Sequence, residues 1–133
     1  MPLPTECSFY LPENWDIALR AMSAESGIPQ LDYMRDAFRV YLDEVEEHGK
    51  LLWSRLPAHR GVCKSFATNK KNEHLLHELS NLSKQTRVPR SKIMRAAVGR
   101  YLEREMKESG LHVPGSWKGE PTAENSIGFD RKA

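Results

Sequence analysis

Two cysteines in 133 residues, and no apolar run near the roughly eighteen residues of a membrane span, narrow the possibilities at once. Cys7 and Cys63 have no histidines at ligand spacing, so they do not form a zinc site. The stretch MPLPTECSFYLPENW shows no basic-then-apolar leader, which favours reduced thiols and a cytoplasmic protein. Aromatics make up 8% and all hydrophobic residues 39%, enough for one domain or two very small units but not for a large interior. A Gly-rich phosphate loop, a G-x-S-x-G elbow and paired carboxylates are all missing. His74 and His77 share a helix face at i, i+3, and no Cys or acidic cluster completes them as a metal site. The expectation is a protein with no enzyme activity, no metal and no cofactor.

The organising stretch runs from Val62 to Gly110. Val62, Phe66 and Thr68 alternate as in a short strand over 62–68, whereas Leu75, Leu76, Leu79 and Leu82 recur at helical spacing over 72–85. Val88-Pro89-Arg90-Ser91 interrupts and restarts the chain, since proline suits a first helical turn and not an interior. After it Met94, Ala97, Val98, Tyr101 and Leu102 form a complete apolar stripe. This order of strand, helix, Pro-Arg-Ser turn and helix resembles the ribbon-helix-helix family. The resemblance implies that two such units pair their strands into an antiparallel ribbon that enters the DNA major groove.

The first half of the chain repeats the plan. A shift of sixty residues superposes Leu19 on Leu79, Pro29 on Pro89, Met34 on Met94, Ala37 on Ala97, Tyr41 on Tyr101 and Leu42 on Leu102. Upstream, Cys7, Phe9 and Leu11 alternate with Glu6, Ser8 and Tyr10 before Pro12. There the shift is fifty-seven, pairing Ser8-Phe9 with Ser65-Phe66. One such unit cannot bury its apolar face alone, and two together can. The fold expected is mainly α with a short antiparallel β-ribbon, a tandem ribbon-helix-helix with pseudo-two-fold symmetry. Its parts are an acidic unit over 1–49, a linker over 50–61, a basic unit over 62–110 and a disordered tail over 111–133. In the linker Leu51, Leu52, Trp53 and Leu56 are expected to pack on the helices. In the tail Trp117 and Phe129 are either a motif for a protein partner or, as isolated aromatics in a tail more often are, without a role.

Charge is unevenly spread. Residues 1–59 carry five Lys or Arg and ten Asp or Glu, whereas residues 60–112 carry twelve and five, beneath a formal total of +2. The cations Arg87, Arg90 and Lys92, together with the hydroxyl of Ser91, fall where the resemblance implies a grip on phosphate. It assigns base contacts to strand side chains that point away from the core, Ser8 and Tyr10 in the first strand and Cys63, Ser65 and Ala67 in the second, with Asn69 at the strand end. Lys64 takes the outward place if the register moves by one. The partner implied is double-stranded DNA, with further self-association along it and no membrane. A transcriptional repressor or a plasmid-transfer accessory protein fits this pattern. An antitoxin, or a protein-interaction module that no longer binds DNA, are the rival readings.

Overall fold

Alternating residues and two prolines lay out the first elements of the computed structural model, which describes residues 6–56, 61–67, 70 and 72–110. Strand β1 (Glu6–Pro12) runs into helix α1 (Glu13–Ser26), followed by α2 (Gln30–His48), strand β2 (Gly61–Ala67), α3 (Glu73–Thr86) and α4 (Arg90–Ser109). Pro12 closes the strand and serves as the N-cap of α1, whose first turn carries Glu13 and Asp16. Carboxylates there oppose the positive end of the helix dipole. Pro29 and Pro89 cap α2 and α4 in the same way, with φ of −60° and −55°. Each lies one position before the first helical residue, where an extended conformation is wanted and no N–H is missed.

β1 and β2 of the same chain pair antiparallel, with Ser8 opposite Ser65, Tyr10 opposite Cys63 and Phe9 opposite Lys64. A two-stranded ribbon is marginal by itself. Here one of its faces is fastened to the helices by Phe9, Leu11 and Phe66, all buried. The ring of Phe38 in α2 makes T-shaped contacts with both strands, its centroid 6.2 Å from that of Phe9 and 4.9 Å from that of Phe66. Edge-to-face pairs of this kind contribute about 0.5–1.5 kcal/mol beyond area burial.

The helical layer holds the rest of the core. Met34, Ala37, Phe38 and Tyr41 of α2 meet Met94, Ala97, Val98 and Leu102 of α4, and Leu19 and Leu79 close the flanks. The apolar stripes therefore face inward as their spacing predicts. Leu42 and Tyr101, expected to share that burial, are only half-buried. Tyr41, by contrast, is covered by the segment after α2. The Tyr41 hydroxyl donates to the Leu52 carbonyl at 2.7 Å and accepts from the Leu52 N–H at 3.1 Å. Leu56 is buried, and Leu51, Leu52 and Trp53 pack against the core.

The α1–α2 and α3–α4 turns share their hydrogen bonds. Ser23 Oγ donates to the Ile28 carbonyl at 2.6 Å, and Ser83 Oγ to the Val88 carbonyl at 2.7 Å. Gly27 N–H donates to the Ser23 carbonyl at 2.9 Å, and Arg87 N–H to the Ser83 carbonyl at 2.8 Å. Gly27 and Arg87 both adopt the left-handed conformation, at φ of 80° and 63°.

Candidate nucleic-acid interface

Because side chains alternate along a strand, the residues facing away from the core are fixed by those facing it. With Phe9, Leu11 and Phe66 inward, Ser8, Tyr10, Cys63 and Ser65 stand on the outer face, and all four are exposed. Tyr10 is 64% exposed, the most open of the large apolar side chains among the described residues. Ala67 belongs to β2 opposite Glu6. Asn69 lies outside the described residues, as does the tail from 111 onwards.

The register removes Lys64 from this face. Opposite Phe9, it turns towards the helices, where its ammonium donates to Asp16 Oδ1 of α1 and to Gln30 Oε1 of α2, each at 2.5 Å. The carboxylate is 11% exposed and also accepts from Arg20 at 3.1 Å. An inward lysine is tolerated because its charge is met at its tip while its stem covers apolar surface. The contact also brings Gln30, the first residue of α2, within reach of the ribbon.

Arg87, Arg90, Ser91 and Lys92 gather where α3 gives way to α4. Arg87 occupies the left-handed C-cap of α3 and is exposed. Arg90 Nη1 donates to Ser80 Oγ at 2.9 Å, which holds the guanidinium against α3, while Ser91 and Lys92 are exposed. No acidic residue occupies the first turn of α4. Arg95, one turn further, is turned partly inward, and burial lowers the pKa of its guanidinium from the ordinary value. The matching turn of α2 carries Asp32, bonded to Arg35 at 3.2 Å.

Among the described residues no three His, Cys, Asp or Glu side chains cluster as metal ligands would. No helix among them is long and apolar enough to cross a membrane. The structure thus collects the strand residues Ser8, Tyr10 and Ser65 on one surface, and the four residues over 87–92 around one helix start. The inward bond from Lys64 to Asp16 escapes sequence reasoning, since its partner lies 48 residues away. The signal available was Asp16 itself, an acid among the buried positions of α1.

No curated protein and no solved structure matches the chain significantly. Residues 67–104, which take in the end of β2, all of α3 and most of α4, match the family model described as ribbon-helix-helix domain. That family is in general one of DNA-binding, non-enzymatic regulators, and this segment of the chain resembles it.

Proposed function

We propose that the chain binds double-stranded DNA by laying the outer face of the β1–β2 ribbon in the major groove. A two-stranded ribbon fits that groove, and serine hydroxyls hydrogen-bond base edges there. Ser8, Tyr10 and Ser65 are the base-contacting residues in this reading, with Ala67 and Asn69 at the strand end. Arg87, Arg90, Ser91 and Lys92 meet the phosphate backbone. The observation that carries the proposal is the exposed polar face of a ribbon whose other face is pinned by three buried side chains.

The halves 1–49 and 62–110 act as two ribbon-helix-helix units joined by the 50–61 linker and related by a pseudo-two-fold axis. Shared strand order and the duplicated turn hydrogen bonds support this. The chain works in the cytoplasm by occupying DNA, as a transcriptional repressor or as an accessory protein at a plasmid transfer origin. Both roles need occupancy rather than chemistry.

The test is fluorescence anisotropy of labelled duplexes across a salt series. Binding should weaken linearly in log salt, and Arg90→Ala with Lys92→Ala should lower affinity for every sequence alike. The slope should flatten by roughly 0.9 for each phosphate that is no longer neutralised. Affinity and slope unchanged in the double variant would place DNA on another surface, and no binding to any duplex would sink the proposal.

A further inference from the structure

Resting on that DNA-binding reading, we infer that one chain takes up a non-palindromic duplex in a single fixed orientation, anchored to phosphate through its second half alone. Where two identical units pair, their two-fold symmetry is matched by a palindromic site. In this chain both parts of the interface break that symmetry.

The ribbon breaks it first. Ser8 and Ser65 face each other in the register and are identical, so they form a symmetric centre. Exchanging equivalent positions of the two strands carries Tyr10 onto Ala67 and Glu6 onto Cys63. One end of the reading face therefore presents a phenol beside a thiol, while the register positions at the other end of the ribbon are Ala67 and Glu6. A dyad in the DNA offers the same base edges to both ends. A phenol and a methyl group cannot take the same contacts from them.

The helix starts break it again. Around α4 stand Arg87, Arg90 and Lys92, with no acid in the first turn. The sequence equivalents in the first half are Gly27, Gln30 and Asp32, so every cation is lost and one carboxylate is gained. Gln30 is occupied by Lys64, and Lys64 by Asp16, so that lysine does not restore the missing charge. Because both halves belong to one chain and pair with each other, no second basic half completes a symmetric grip.

The experiment is selection of duplexes with a randomised core on the immobilised full chain, followed by phosphate-ethylation interference on the most enriched duplex. The expected result is a motif without a dyad and interference confined to one flank. Arg90→Ala with Lys92→Ala should weaken that interference to what Arg87 and Ser91 alone sustain. Asp32→Lys should create interference on the opposite flank and steepen the salt slope by about 0.9. A palindromic motif, equal interference on both flanks of the unsubstituted chain, or retention without any enriched motif would each overturn the inference while leaving DNA binding intact. Retention of no duplex at all would overturn the DNA-binding reading itself.

Discussion

Glu44 and Arg104 stand sixty residues apart and form an ion pair across the α2–α4 seam, so two positions related by the sixty-residue shift in the sequence are paired with each other. Arg100 joins them, its Nε donating to Glu44 Oε1 at 3.3 Å and its Nη1 to the Trp53 carbonyl at 3.3 Å. Pairing of two second halves would set Arg104 against its own copy, and pairing of two first halves would oppose two glutamates. Opposite charges across the α2–α4 seam thus match in this pairing, whereas like charges would meet in either of the others.

Reversing one charge should therefore be costly. The side chains of Arg104 and Glu44 are 34% and 21% exposed, between a surface pair and a buried one. Glu44→Arg brings three guanidinium groups together and should lower stability by about 1–3 kcal/mol. Adding Arg104→Glu should recover roughly 1 kcal/mol, a coupling that urea denaturation of the double-mutant cycle measures. Strictly additive changes would mean that the seam does not discriminate.

Gly99 gives a prediction with two opposed contributions. A methyl group there would lie 2.6 Å from the Trp15 ring and 2.6 Å from Ser54 Cβ, both on buried residues. Alanine gains about 1 kcal/mol of helix propensity over glycine, whereas overpacking a filled core costs about 1–3 kcal/mol. The ring cannot yield like the end of a flexible chain, so overpacking prevails. Gly99→Ala should lower stability by about 1–2 kcal/mol, and Trp15→Leu in that background should recover part of the decrease. A more stable single variant would show that α4 and α1 move apart freely.

Much of this arrangement is legible in the sequence, because the core stripes obey helical period and the strands alternate. Met34, Ala37, Met94 and Ala97 are buried as their spacing requires. What could not be read depends on the linker and on contacts distant in sequence. Tyr41 is buried because the segment after His48 crosses it, a contact between residues eleven apart that no helical period announces, whereas Tyr101 is half-buried. Lys64 interrupts an apolar face, and Asp16 and Gln30 in two other elements account for it. The arginines of the candidate interface were legible as a cluster. The left-handed backbone at Arg87 was not, since that position is usually given to glycine.

Tyr41 also links stability to alkaline pH. Burial pushes its phenol up to about 12 and does the same for Tyr101. An acid whose pKa is raised by folding contributes stability that is present below its unfolded value, near 10, and lost as pH climbs from there through about 12. Denaturation midpoints should accordingly fall above about pH 10. Tyr41→Phe should make that fall shallower. At neutral pH it should cost about 1–2 kcal/mol, because the Leu52 carbonyl and N–H lose the hydroxyl they share. Identical alkaline limbs in the two proteins would mean that this hydroxyl ionises without unfolding the chain.

Arg87 separates stability from DNA binding, since one substitution should move them in opposite directions. Its φ of 63° makes it the non-glycine residue with positive φ among those described, at a position where the first half carries Gly27. An L side chain in this conformation costs roughly 1–2 kcal/mol, part of which glycine returns as unfolded-chain entropy. Arg87→Gly should raise stability by about 0.5–1 kcal/mol, read as a higher urea midpoint at constant slope. It should also weaken duplex binding and flatten the salt dependence by about 0.9 if the guanidinium meets one phosphate. Arg87→Ala separates the two effects. It removes the cation but keeps a side chain in the left-handed region, so binding should fall as much while stability stays within about 0.5 kcal/mol. A stabilised glycine variant that binds duplex with unchanged affinity and slope would show that Arg87 contacts no phosphate. In that case the left-handed turn carries an arginine without any service to DNA.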